Sequence, residues 1–530
     1  MNAHHPYHPI IYVRGFAATQ GEIEETCADP YMGFNLGSTK SRMAWTGQRK
    51  KFFFESPLIR LITEHDYDDV YVDGDDLIAL ERTDKPISYR SVIIYRYYDE
   101  ASEEFGKGET PPIQHFAKGL SALILRLRER VCANPANEVS QDDFKVYLVA
   151  HSMGGLVCRA FLQNSELGEE ESRRAVDKLF TYATPHNGID LRIVRNVPGW
   201  ASFGQVNNFN REKMAEFFAL PQKDDVSVVV SFPPERIFNL VGTNPSDYLV
   251  MKGLSSWAAG DGSDGLVRME NATTHGPGLN GEGEVSSPRA FVHRSHSGHY
   301  GIVNSEEGYQ NLTRFFFGEV RVDGVLDIDD ITLPAELDKA RKAGKKVKAS
   351  YQFEVVVSVR GSQWQMHRRT VTENSAIFRT YSELFPPVEG SELRPPDRKQ
   401  SPHLFSVFLD PKKSKAKKAT EERGSVSFAF DLKVVVPDYE VDEVLFLKRH
   451  YEGGYIYRQL IIVEAFEDTN ALGGWKINYG FQDNSPGAAT KVATTQPLPG
   501  GRGLFFNIPV KQPKRPGIDA TLRIEARPWT

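Results

Sequence analysis

The stretch K-V-Y-L-V-A-H-S-M-G-G-L-V-C-R-A-F-L, residues 145–162, changes its periodicity in the middle. Lys145 to Ala150 is a short apolar run rich in β-branched and aromatic residues, whereas Leu156 to Leu162 follows an apolar helical pattern, so a strand passes into a helix within A-H-S-M-G-G at 150–155. A serine in so tight a turn is held in a strained backbone conformation with its hydroxyl exposed, and the residues two before and two after it must be small because backbones come close there. Ala150 and Gly154 meet that requirement around Ser152. The helix start beneath the serine also supplies free N–H groups and the positive end of a dipole, suited to a developing oxyanion. It is the strand before the motif and the helix after it that make so short a pattern informative.

Working outward, the first half of the chain alternates apolar runs with helical patterns: Ile10 to Val13, Ser91 to Tyr98, a helix over Phe116 to Val131, the strand and helix around Ser152, then Lys178 to Ala183 and Arg236 to Val241. Strands alternating with helices imply βαβ units and a mostly parallel sheet with helices on both faces, and ligands of such sheets bind beyond the carboxyl ends of the strands. The second half differs. Every second residue is apolar at Tyr351, Phe353, Val355, Val357 and Val359, and again from Val426 to Val434. With Arg458 to Phe466, Gly503 to Val510 and Thr521 to Ala526, this alternation predicts an antiparallel, all-β sandwich-like domain.

At 530 residues the chain is too long for one core, since domains usually run about 100 to 200 residues. Residues 331–530 hold 31 Lys and Arg against 23 Asp and Glu, leaving 33 against 47 before them, so the halves carry +8 and −14. That asymmetry places a boundary near 330. The expected organisation is a catalytic domain over 1–325, with insertions at about 20–80 and a cap or lid at about 190–235, a linker over 326–348 and the β domain over 349–530. A composition of 40% hydrophobic and 25% charged residues excludes a disordered chain. No run approaches the ~18 apolar residues of a spanning helix, and the N-terminus has no secretory pattern. Three cysteines, Cys27, Cys132 and Cys158, make neither a disulfide framework nor a metal site. These features predict a cytoplasmic protein or one exported without a classical signal peptide.

A-H-S-M-G-G in this setting resembles the lipase and esterase branch of the α/β-hydrolase superfamily, and four further stretches are similar in the same chain order: I-I-Y-V-R-G-F at 10–16, T-Y-A-T-P-H-N-G at 181–188, S-D-G-L-V at 263–267 and S-H-S-G-H-Y-G-I-V-N at 295–304. Together they cover about residues 8–318. The resemblance implies Ser152 as nucleophile, Asp264 as the carboxylate and His299 as the base, with backbone N–H groups of Phe16 and Met153 forming the oxyanion hole. Arg14 stands where these lipases usually carry His. Asp261 competes with Asp264, and His293 and His296 share the loop with His299, His296 being the next choice. The nearest relatives implied are bacterial lipases, the GPI inositol-deacylase-like group and bacterial toxin lipases. The expected function is hydrolysis of carboxylic esters, as a lipase or phospholipase, with no cofactor. Alternatives are an acyltransferase using the same serine and a catalytically silent scaffold.

Other motifs have plainer readings. His151 and His186 are expected to be structural. V-D-G-D-D at 72–76 resembles part of a calcium loop but lacks the remaining ligands, so no metal site is expected. P-K-K-S-K-A-K-K at 411–418 could meet anionic lipid or nucleic acid, but it lies between two strands without aromatic interleaving, so an exposed hairpin tip is the expected reading and no nucleic-acid partner is expected. K-K-F-F-F-E-S-P-L-I-R-L-I at 50–62 is expected to be a packed helix, with peripheral membrane contact as its second reading. Expected partners are a lipid or other ester substrate and a protein that docks on the C-terminal domain.

Overall fold

The computed structural model describes residues 5–529 except 16–19, 44–45, 47, 71–85, 110, 190–208, 246–262, 280–282, 299–300, 344–346, 389–393, 412–424, 438, 442–453 and 483–490. The chain divides into two compact units, Met1–Phe317 and Gly318–Thr530.

The first unit is built on a parallel sheet. Its strands are β1 (Ile10–Val13), β2 (Asp68–Asp69), β3 (Ser91–Tyr95), β4 (Val146–His151), β5 (Val176–Tyr182), β6 (Ile237–Gly242) and β7 (Arg289–Val292), in the spatial order β7-β6-β5-β4-β1-β3-β2. Every neighbouring pair is parallel. β4 lies at the centre, and its first five residues are buried, which is why it reads as a continuous apolar run rather than an alternating one. Two helices flank it in sequence. α2 (Ile113–Cys132) buries Phe116, Leu120, Leu123, Ile124 and Leu127 at helical spacing, and α3 (Met153–Gln163), wholly buried, leaves the end of β4. α5 (Glu306–Phe317) follows β7 and closes the unit.

Residues 50–62 do not form one helix. Arg49–Phe54 is a strand paired with Ser38–Met43, and α1 (Pro57–His65) starts separately, with Ser56 as its N-cap accepting from the Leu58 N–H at 3.2 Å and Pro57 in the first turn. Ser-Pro at a helix start is a stop-and-start signal that the apolar run around it obscures. The described part of the expected lid, residues 209–235, includes α4 (Arg211–Phe217). Phe209, Met214, Phe217 and Phe218 are buried in the core of the unit, so these aromatics pack inward; residues 190–208 lie outside the described residues.

The boundary expected at 325 also moves. Residues 320–332 form a single strand, β8 (Val320–Thr332), which pairs along its length inside the second unit, so 326–332 is strand rather than linker. α6 (Ala335–Lys342) follows and buries Leu337. The second unit contains two antiparallel sheets. One runs β10 (His403–Leu409), β8, β15 (Gly517–Pro528), β14 (Leu504–Gln512), and the other β9 (Val347–Val359), β11 (Ser425–Val436), β12 (Gly454–Glu467), β13 (Trp475–Phe481), each with short strands at its edges. Inward residues of both sheets join in one core, where Phe405 meets Phe430 at a ring separation of 5.3 Å. This is the sandwich that the alternating pattern predicts.

Candidate active site

Ser152 occupies the turn between β4 and α3 with φ 51° and ψ −123°, a positive φ that few non-glycine residues adopt. The strain has an evident cause. A Cβ on Gly154 would stand 2.3 Å from the Val13 carbonyl oxygen, and one on Gly15 would stand 2.7 Å from Ser152 Cβ. The end of β1 is therefore pressed against the turn, and only glycine fits at both contact points. Ser152 is itself 4% exposed.

The loop after β7 brings His296 to this serine. Its Nε2 lies 3.0 Å from Ser152 Oγ, and its Nδ1 lies 3.0 Å from Asp264 Oδ2. A carboxylate only accepts, so Nδ1 carries the proton and Nε2 presents its lone pair to the Ser152 hydroxyl. Asp264 is fixed from its other side. Its Oδ1 accepts from the Leu266 and Val267 N–H groups at 3.0 and 2.8 Å, and its carbonyl accepts from His296 N–H at 3.0 Å. The G-L-V that follows Asp264 is thus the turn that holds the carboxylate. Ser152, Asp264 and His296 are all nearly excluded from solvent.

His299, the base that the sequence resemblance implies, lies outside the described residues, as does Asp261. The geometry brings His296, the second choice of the sequence reading, to this place: its imidazole spans the gap between Ser152 Oγ and Asp264 Oδ2. His296 comes four residues after the end of β7, and its loop is tied by the Ile302 N–H to Ser295 carbonyl bond at 3.0 Å. His293 turns elsewhere, with its Nδ1 3.3 Å from Thr243 Oγ1.

Several supporting residues carry no motif. His151 Nε2 donates to the His296 carbonyl at 3.0 Å, which fixes its tautomer and steadies the loop. Burial holds the His151 pKa well below the usual histidine range, reinforced by the nearby His296 and Arg14. Two residues before His296, Arg294 meets Glu307 of α5 in a buried pair, with Nη2 2.8 Å from Oε2. Arg14 donates to the Met32 carbonyl, and Tyr97 donates to the Arg14 carbonyl at 2.6 Å, so the departure from histidine in the first motif leaves that turn anchored by both its side chain and its backbone. Met153 opens α3, and N–H groups of a first helical turn have no partner within the helix. Phe16 lies outside the described residues. His186 is buried beside Arg159 and Thr181, with burial lowering its pKa. The acidic stretch 72–76 and residues 412–418 also lie outside the described residues.

A parallel sheet with a strained serine turn at the end of its central strand, a carboxylate beyond β6 and a histidine beyond β7 defines the class of fold: residues 1–317 have the architecture of an α/β-hydrolase. Within that class, the model of the PGAP1-like alpha/beta domain matches residues 117–232, from α2 through the serine turn to the segment before β6. No curated protein matches the chain. Among solved structures, the mature form of the Bacillus licheniformis lipase BlEst2 is 15% identical, covering 59% of this chain and 91% of its own, with a TM-score of 0.27. The propeptide form of the same lipase is 12% identical and covers 95% and 96%, with a TM-score of 0.29.

Proposed function

We propose that residues 1–317 hydrolyse carboxylic esters through a Ser152 acyl-enzyme, with His296 as general base and acid and Asp264 as its orienting carboxylate. The observation that carries this reading is the placement of one imidazole 3.0 Å from both Ser152 Oγ and Asp264 Oδ2. Ser152 Oγ attacks the ester carbonyl carbon as its proton passes to His296 Nε2. The tetrahedral oxyanion, held by the Met153 N–H and its partner donor in the turn after β1, collapses and expels the alkoxide, which takes that proton from His296. Water then attacks the acyl-enzyme with His296 again as base, releasing the acid and restoring Ser152.

A lipid ester is the substrate class we favour, as a lipase or phospholipase. Phe53, Ile59 and Ile62 are exposed apolar side chains of the hairpin and α1. That insertion adjoins the site: Phe54 lies 5.8 Å from the Arg294 guanidinium, and Arg60 of α1 pairs with Glu306 of α5 at 2.5 Å. Apolar side chains in that place suit contact with acyl chains or a lipid surface. The test is a fluorophosphonate probe with mass mapping, alongside a panel running from short p-nitrophenyl esters to phospholipid vesicles. Covalent labelling at Ser152 and turnover of at least the short esters are expected. A folded protein that neither labels nor hydrolyses any ester would end the reading.

A further inference from the structure

Among the described residues, the two sheets of the second unit do not fill the space between them at one end. Along β12 the inward positions run Ile461, Val463, Ala465, and along β15 they run Leu522, Ile524, Ala526, so large side chains give way to alanine on both sheets toward the same edge. Gly473 and Gly503 lie at this end too. The result is a cavity of about 300 Å³, walled by Phe428, Val463 and Trp475 from one sheet and Val322, Phe506 and Ile524 from the other. It opens at one side, where the exposed Glu319 and the half-exposed Arg527 stand at the mouth.

Protein interiors are close-packed, and voids much larger than a water molecule are few. An apolar cavity of ~150 Å³ is enough to admit benzene in another protein, so this one has room for roughly ten to twelve carbons. The chemistry of the walls narrows the occupant. A peptide or a sugar would bring amide or hydroxyl groups deep into a space whose polar side chains, Glu319 and Arg527, stand only at the mouth, and burying them there is unfavourable. A hydrocarbon chain brings none. The adjoining stretch of this chain, residues 412–424, follows Pro411 of the lining and contains no apolar side chain larger than alanine, so it offers nothing of the kind that would fill the space.

We propose that this cavity binds one unbranched acyl chain of roughly ten to twelve carbons, with its polar end at the mouth beside Glu319 and Arg527. A free fatty acid and a monoacyl lipid both carry such a chain, and its binding is independent of the chemistry at Ser152. The probe is dodecanoic acid carrying a diazirine near its methyl end, photolysed with the full-length protein and mapped by mass spectrometry. Adducts are expected on peptides bearing Phe428, Val463, Trp475 or Phe506. Competition by unlabelled dodecanoic acid would identify a free acid as the occupant, and competition by the twelve-carbon lysophosphatidylcholine alone would identify a lipid-borne chain. Ala465→Phe and Ala526→Leu, which fill the space from opposite sheets, should each cut this labelling at least tenfold while short-ester turnover stays within twofold. If one variant fails to fold, the other and the adduct map decide. Adducts confined to residues 1–317, or undiminished labelling in a folded filled variant, would overturn the proposal.

Discussion

Ser152 Oγ stands 3.0 Å from His296 Nε2, within hydrogen-bond reach for the proposed proton transfer, and the opposite ring nitrogen of His296 faces Asp264 Oδ2 at the same distance. His296→Ala and Asp264→Asn should therefore each lower kcat/KM on a soluble ester by about 10⁴-fold, as loss of a member of such a set does elsewhere. His299→Ala should stay within a few-fold of the parent. The reverse ranking in the same assay would return the base to His299. Ser152 is marked in the sequence by a turn that demands small neighbours, whereas Asp264 is reached through the resemblance of S-D-G-L-V, and the structure adds that N–H groups of that stretch hold its carboxylate. The histidine is not marked in this way. His293, His296 and His299 are evenly spaced in one loop, and only the course of the backbone after β7 chooses among them. Three other histidines set a pH response. Burial lowers the pKa of His8 to about 3 and holds those of His151 and His186 well down, while in the unfolded chain each takes up a proton near pH 6.5. A lowered folded value means stability is lost as pH falls below ~6.5, by about 1 kcal/mol per histidine at pH 5.5. Buried Asp323, whose pKa is depressed chiefly through Arg321 against the opposing effect of burial, loses its contribution only near pH 4, so it does not mask the effect. Urea midpoints at pH 7.5 and 5.5 should differ accordingly, and equal midpoints would show that these rings protonate in the folded state.

Between the residue and the molecule stand the elements that aim the site, and one of them is α5, the helix over Glu306–Phe317 expected to follow the S-H-S-G-H-Y-G-I-V-N stretch. Its Glu307 holds Arg294 with both side chains at most 5% exposed, so the loop carrying His296 is pinned to a helix by a buried ion pair. Removing one partner of such a pair strands the other charge, at a cost of about 3 to 5 kcal/mol, whereas replacing both with apolar groups often costs little. Glu307→Gln should therefore destabilise the protein strongly and lower kcat. The double variant Arg294→Met, Glu307→Leu should recover most of the stability. Equal losses in the single and double variants, read from denaturant midpoints, would show that the pair does not act as a unit. Strongly patterned elements such as α2 and β4 are readable in advance because their apolar spacing is fixed by burial. The break between Phe54 and α1 is harder to see, since a continuous apolar run conceals a strand end, an N-cap and a helix start within a few residues.

For the whole molecule, the cut that separates the two units falls after Phe317, although charge and composition suggest a later one. The charged residues of β8, among them Asp327, Asp329 and Asp330, give it the look of a linker, while Val322, Leu326 and Ile328 face the core of the sandwich. A fragment ending at 325 would carry the first half of β8 without its partners on β10 and β15, exposing apolar residues and unpaired backbone at its end. Residues 1–317 should accordingly be soluble and turn over a short ester, and residues 1–325 should aggregate more readily at equal concentration. Light scattering and kcat/KM on the two fragments check this. An inactive but well-folded 1–317 fragment would mean that the second unit takes part in the chemistry.

The serine turn and the histidine that serves it are 144 residues apart in the chain, and the helix and strand ladder between them must be in place before they meet. Contacts of such long sequence separation form slowly, because loop closure comes before any reward from pairing. During refolding, local helices such as α2 can gather early, while the catalytic contact waits for β4, β6 and β7 to find their neighbours. On the proposed mechanism, recovered ester turnover would report the last stage of assembly in this unit, since through the earlier stages Ser152 is present without the imidazole that is proposed to serve it.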